Sequence, residues 1–224
     1  DNQGNPTNDF TGKESAFSIG YSSKINYLPI YVGLNLRLIT SSLEQYNSIG
    51  ISTDIGVLYI NSEMNLNIAM VIRNFGTQIK AYNDIYESLP FEIDIGVSQL
   101  LENAPVRWYL TFENVQKWNI ALSNPSRLTT DLDGNITEEK ITFFNNIFRH
   151  LLIGAELFPE SIFNIRLGYS VKRGEELKII DQSNFSGLSF GFGMKFNKLR
   201  INYTHAKFSG AANTSFIGLQ LNLN

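Results

Sequence analysis

The sequence predicts an all-β protein, an antiparallel transmembrane β-barrel with about eleven strands in this chain. Three observations carry that expectation. Apolar residues recur at every second position from Phe17 onward: Leu28, Ile30, Val32, Leu34, Leu36 and Leu38 share one face while Tyr31, Gly33, Asn35 and Arg37 share the other. A period of two belongs to a strand lying between two environments. The alternating segments are mostly about ten residues long or longer, where strands of soluble proteins cluster near five or six. The connections between them alternate between tight and long, as in barrels with short periplasmic turns and longer extracellular loops.

Taken in order, the strands fall at 15–26, 27–39, 48–60, 64–75, 90–100, 105–116, 148–158, 161–172, 186–197, 199–209 and 213–223. A tilted strand of about 9–11 residues crosses a bilayer, and most of these meet that length. Segment 186–197 repeats the first pattern, with Leu188, Phe190, Phe192, Met194 and Phe196 on one face and Ser189, Gly191, Gly193 and Lys195 on the other. The tight turns are 26–27, 61–63, 102–104, 159–161 and 197–198; the long connections are 40–47, 76–90, 117–147 and 173–185, with a shorter polar one near Gly210.

These connections set a direction. Residues 1–14 fall on the long-loop side, outside the cell, and the last strand ends at Asn224 on the tight-turn side, facing the periplasm. Bacterial barrels have even strand numbers. An odd count is therefore expected to be the larger part of a barrel of about fourteen strands, the remainder lying upstream.

Composition agrees. The 224 residues form one domain without a visible linker, and the mean hydropathy of −0.10 conceals no apolar run of membrane-helix length. A barrel escapes such averages because half of each strand is polar. Charged residues make up 17% of the chain, below the roughly 25% of ordinary domains, as expected of a protein with little charged outer surface. The net charge of −3, with mixed signs, excludes a basic stripe and speaks against nucleic acid. With no cysteine there are no disulfides, thiolate metal sites or thiol chemistry. Asp1 opens a polar stretch reaching about Glu14, so no signal peptide is read; it was removed, or the chain begins inside a longer protein.

One face of the strands carries Leu, Ile, Val, Phe and Met with aromatics toward the ends: Tyr27, Trp108, Phe158, Phe163 and Tyr169, with Trp118, Phe143 and Phe144 just beyond. That is the expected layout of an interfacial girdle, although the same rings would also pad a soluble core. The other face collects Asp54, Arg73, Glu92, Asp94, Arg107, Tyr109, Glu113, Glu156, Arg166, Lys172 and Arg200. Opposite charges on neighbouring strands are expected to meet as Asp54 with Arg73, Asp94 with Arg107, and Glu156 with Arg166. They either line a substrate path or, the plainer reading, neutralise one another in a narrow lumen. Glycines on this face, Gly20, Gly33, Gly56, Gly191 and Gly193 among them, leave room for a plug or for strand tilt.

Catalytic and metal patterns are weak. His150 and His205 are the two histidines; the run from Tyr203 to Lys207 distantly resembles the His-x-Ser signature of outer-membrane lipid hydrolases, but Lys207 stands where the nucleophile belongs. Asp131, Asp133 and Asn135 surround Gly134 at a spacing wrong for an EF-hand and read as a solvated turn. No enzyme activity, metal or cofactor is expected.

Several stretches carry a family resemblance: Leu89-Pro90-Phe91-Glu92-Ile93-Asp94-Ile95-Gly96-Val97-Ser98, then Leu101 to Pro105, Asn114-Val115-Gln116-Lys117-Trp118, Arg149-His150, Leu167-Gly168-Tyr169, and Gly187 to Gly193. Together the chain resembles the PorQ-like outer-membrane barrels of the type IX secretion system of Bacteroidetes, relatives of PorV and of FadL-like transporters. The resemblance implies a FadL-like barrel of fourteen strands, with three strands and an N-terminal hatch ahead of Asp1. It implies a non-enzymatic member of the attachment complex with PorU, PorV and PorZ, holding PorZ at the membrane while cargo is joined to lipopolysaccharide.

Two functions from different classes follow as expectations. The first is an anchor whose long outer loops, 117–147 and 76–90, dock a surface partner, with Trp118, Phe143 and Phe144 as apolar contacts; packing within the loop or girdle is the plainer role for each. The alternative is a FadL-like channel for hydrophobic small molecules. A soluble β-sandwich, in which the apolar face packs on a second sheet, is the remaining reading.

Overall fold

A computed structural model describes residues 12–44, 46–82, 85–123, 128–130, 136–137, 140–177, 186–207 and 213–222. The strands in chain order are β1 (Gly12–Lys24), β2 (Ile30–Leu43), β3 (Tyr46–Asn61), β4 (Leu66–Lys80), β5 (Glu92–Leu100), β6 (Val106–Phe112), β7 (Thr129–Thr130), β8 (Ile136–Thr137), β9 (Leu151–Leu157), β10 (Phe163–Ser170), β11 (Leu188–Phe196), β12 (Leu199–Lys207) and β13 (Asn213–Leu221). Two short helices, α1 (Phe143–Arg149) and α2 (Val171–Glu176), precede β9 and follow β10. All strands except β7 and β8 form one antiparallel sheet of eleven in chain order, and β7 with β8 forms a separate two-stranded sheet. Among the described residues no ladder joins β1 to β13. The chain divides into two compact units, Asp1–Tyr59 with Met70–Ile93, and Ile60–Ala69 with Asp94–Asn224.

In the first unit the period of two translates directly into rows. Tyr21 stands opposite Leu34 and Leu34 opposite Ile55, while one position along, Gly20, Asn35 and Asp54 form the neighbouring row on the other face. The long loop expected at 40–47 is instead a tight hairpin, since Leu43 pairs with Tyr46 and Glu44 adopts a left-handed φ of 52°. Ser41, Ser42, Asn47 and Ser48 continue the ladder because a polar side chain leaves a strand's backbone bonds unchanged. Farther along, β4 carries Asn74 at φ 54°, and the chain then runs so close to β3 that a Cβ built on Gly76 would lie 2.0 Å from the Ile51 carbonyl oxygen. Only glycine fits there.

In the second unit the tight turns lie at one end. Asn61 Oδ1 accepts from the backbone N–H of Glu63 and of Met64, both at 3.0 Å, an Asx cap on the β3–β4 turn. Left-handed backbone at Asn65, Phe158 and Asn197 closes three of these turns. Neighbouring tips are tied together, Leu100 N–H to Asn65 O at 3.1 Å and Phe158 N–H to Pro105 O at 2.7 Å. At the opposite end the strands expected at 148–158 and 161–172 are shortened by helix. Thr142 caps α1, its hydroxyl accepting from Asn145 N–H at 3.3 Å, and Lys172 lies in α2 rather than on a strand.

Within each unit the polarity of burial is inverted relative to an ordinary soluble domain. Ser52 is 1% exposed beside Ile51 at 43%, and Asp94 is 4% exposed beside Ile95 at 42%. Among the described residues the buried apolar side chains are only Ala81, Ile120 and Ala206. About two dozen large apolar side chains on the strands stay exposed, each forgoing about 1 kcal/mol when left half in water. That sum exceeds the about 5–15 kcal/mol that holds a typical domain together.

Candidate functional site

The charged residues of the first unit meet around Asp54. Its Oδ2 accepts from Arg37 Nη2 at 2.8 Å and from Asn35 Nδ2 at 3.1 Å, and its Oδ1 accepts from the Asn74 backbone N–H at 3.0 Å. Arg37 Nη1 also donates to Asn74 Oδ1 at 3.1 Å, closing a ring of three residues from three strands, with Asn35 attached to it through Asp54. The partner expected for Asp54 was Arg73. Arg73 is near enough to act on the Asp54 charge, but the guanidinium in contact at 2.8 Å is that of Arg37. The left-handed backbone at Asn74 turns both its N–H and its side chain toward this carboxylate.

In the second unit Glu156 stands directly between two guanidinium-bearing positions, Arg107 on β6 and Arg166 on β10. Arg166, expected to pair with Glu156, thus stands directly opposite it across the ladder, but its Nη2 donates to Asn202 Oδ1 at 2.5 Å rather than to Glu156. Tyr109 donates its hydroxyl to Glu156 Oε2 at 2.5 Å. The expected meeting of Asp94 with Arg107 does not occur, because the turn after β5 sets Arg107 opposite Leu100, at the far end of β5 from Asp94. Asp94 instead accepts the Asn114 N–H at 3.0 Å, where the chain leaves β6 through a residue at φ 57°.

Beyond that end of β6, the three residues expected to serve as apolar contacts come together. Trp118 and Phe143 pack with ring centroids 5.1 Å apart, and Phe143 meets Phe144 edge-on at 5.8 Å. Phe144 is 69% exposed and Trp118 47%. A buried polar platform holds this plate in place. His150 is 2% exposed, with Nδ1 2.6 Å from Glu113 O and Nε2 3.0 Å from Trp118 O, and its ring stacks on Phe112. Asn146 donates to the Trp118 carbonyl and accepts from Ala121 N–H, while Arg149 donates to Leu122 O at 3.0 Å and pairs with Glu176 of α2 at 3.5 Å. Sequence reasoning placed His150 at a rim but missed Asn146, Arg149 and Glu176 as the clamp. The Thr142 cap was the legible signal for the helix that carries the first two.

His205 Nδ1 lies 3.0 Å from Ser215 Oγ across β12 and β13, beside Phe190. The sequence search looked for a nucleophile along β12, at Lys207, whereas the hydroxyl that His205 meets is across the ladder. The acidic turn at Asp131, Asp133 and Asn135, and most of the loop tip at 126–140, lie outside the described residues.

The chain matches no protein-family model, no curated protein and no solved structure.

Proposed function

We propose that this chain forms most of the wall of a FadL-like β-barrel of about fourteen strands in a bacterial outer membrane, with long loops extracellular and its C-terminus periplasmic. In this reading the barrel is a non-enzymatic anchor of the type IX secretion attachment complex. It would hold PorZ at the surface, with PorU and PorV in the wider assembly, so that cargo is processed and joined to lipopolysaccharide. The observation that carries the membrane part is the inverted burial, Ile51 and Ile95 open while Ser52 and Asp94 are covered. Hydrocarbon is the medium in which that arrangement costs nothing. The motif resemblance supports the PorQ-like assignment, and the clamped plate of Trp118, Phe143 and Phe144 supports docking at the long-loop end.

The test is purification of the full-length protein from native membranes. The anchor reading expects a heat-shifted, β-rich species that needs detergent and retains PorZ. A protein that stays in solution without detergent contradicts the membrane reading, and a detergent-extracted barrel that never retains PorZ contradicts the anchor. A channel for small hydrophobic molecules is the second reading, favoured by an open hollow of about 310 Å³ over Gly20, Gly33 and Gly56 on the polar face. Uptake by liposomes carrying the full protein separates it from a sealed anchor.

A further inference from the structure

We infer that the polar face of the second unit carries a binding site for a phosphate group, of the kind found in inorganic phosphate and phosphomonoesters. The site is a cavity of about 410 Å³ near the tight-turn end, far along the strands from the aromatic plate, and it goes beyond the anchoring reading. Its construction follows from three adjacent rows of the ladder. The upper row sets Arg107, Glu156 and Arg166 side by side. The lower row sets Lys195 directly opposite Arg200. Between them the middle row reads Asn164, Gly193, Asn202, Gly218. Two glycines in that row leave the floor low, so the cationic rows rise on either side of a hollow.

Charge and hydrogen bonding both ask for an anion there. Four cations and one carboxylate line the cavity among the described residues, and the carboxylate is already engaged by Tyr109. Lys195 and Arg200 are like charges directly opposite one another, an arrangement that destabilises a ladder and that an anion relieves; Lys195 Nζ donates to the Pro159 carbonyl at 2.7 Å and keeps further N–H donors for such an anion. Arg166 keeps one donor occupied, Nη2 to Asn202 Oδ1 at 2.5 Å, but its Nε is buried with no partner. Asn164, 3% exposed, has an unpartnered Oδ1 that lies over Gly193 at the cavity floor. A phosphate group answers each of these demands. Its oxygens accept from guanidinium and ammonium groups, Arg presenting a fork that fits them, and the P–O–H that inorganic phosphate keeps at neutral pH, and a monoester keeps in its monoanionic form, donates to the Asn164 amide oxygen. Sulfate and carboxylate at neutral pH bring no such donor.

Gly193 is required by this arrangement, because a Cβ on it would lie 2.6 Å from both Arg166 Nη2 and Asn164 Oδ1. Those two side chains could then no longer lie over the floor.

The experiment uses the folded full-length protein in uncharged detergent, titrated with inorganic phosphate and separately with dihexanoyl phosphatidic acid, against sulfate and against chloride at matched ionic strength. Binding is read by calorimetry, with phosphorus NMR as a second readout. Saturable binding of inorganic phosphate points to a soluble source, and binding of the phosphatidic acid alone points to a lipid headgroup; either supports the site. Sulfate should bind about tenfold more weakly or worse, and K195Q with R200Q should weaken phosphate by about tenfold or more, as expected for loss of charge-assisted bonds. Should the double variant fail to fold, R200Q alone, at an exposed position, is expected to shift affinity in the same direction. No saturable binding of either probe above the chloride control, sulfate binding as tightly as phosphate, or unchanged affinity in the folded variants overturns the proposal.

Discussion

Arg37 and Asp54 meet across β2 and β3, guanidinium to carboxylate at 2.8 Å, in a ring completed by Asn74, while Asn35 donates to the same carboxylate. Both side chains are part-buried, 29% and 18% exposed, so the pair is partly shielded from water without being sealed from it. A double-mutant cycle with Arg37→Ala and Asp54→Ala should give a coupling energy of about 1 kcal/mol, read from denaturant unfolding in micelles. The cycle with Arg73→Ala in place of Arg37→Ala should give a smaller coupling. The reverse order would restore Arg73 as the principal contact.

Gly76 is expected to tolerate nothing larger. Gly76→Ala forces a Cβ toward the Ile51 carbonyl, while Gly33→Ala meets its nearest atom at 3.7 Å. The first should lower stability by about 2–3 kcal/mol or block folding, as overpacking does, and the second should be near neutral. A heat-shift gel comparing folded and unfolded fractions checks both.

His150 fastens two carbonyls of the segment that carries Trp118. His150→Phe keeps the stacking on Phe112 but removes the ring nitrogens that face the Glu113 and Trp118 carbonyls; Trp118 O keeps Asn146 as a donor, so the cost is that of one lost bond, about 1–3 kcal/mol. Hydrogen exchange across residues 113–123 should accelerate, while that of β10 to β12 should not change. Uniform acceleration throughout would show that His150 holds more than this segment.

The aromatic plate is expected to bind and not to build. On the proposed anchor reading, Trp118→Ala with Phe144→Ala should leave the heat shift in place and weaken retention of PorZ by about 2 kcal/mol or more, the scale of interface hot spots. Unchanged retention by the correctly folded double variant would assign these rings to the girdle.

Periodicity alone made the eleven strands of the large sheet legible, because the two sides of each strand carry side chains of different polarity, although β5, β6 and β9 to β13 run 7–9 residues rather than ten or more. The β2–β3 hairpin was not legible, since Ser41, Ser42 and Asn47 look like loop residues while pairing as strand. That error propagated. With the hairpin read as a long loop, the register of β2 on β3 was unset, and Arg37 could not be placed beside Asp54. The Asp94 and Arg107 pairing failed for a related reason, as the turn joining β5 and β6 fixes Leu100 opposite Arg107. Helices α1 and α2, of 7 and 6 residues, are too short to display a 3.6-residue period. The apolar run Phe143, Phe144, Ile147, Phe148 reads equally well as a strand approach. The three aromatic contacts were found by residue type, but the Asn146, Arg149 and Glu176 clamp beneath them depends on contacts distant in sequence.

The central claim is that hydrocarbon bathes the apolar face. Because the chain contains no cysteine, single cysteines at Ile55 and Leu167 on that face, and at Gly56 and Gly218 on the other, where a Cβ meets nothing closer than 3.9 Å, can each carry a fluorophore. In vesicles containing lipids with a quencher midway along the acyl chain, the account predicts strong quenching at Ile55 and Leu167 and little at Gly56 and Gly218. Quenching of the Ile55 and Leu167 labels by aqueous iodide, with no response to the lipid quencher, would contradict it.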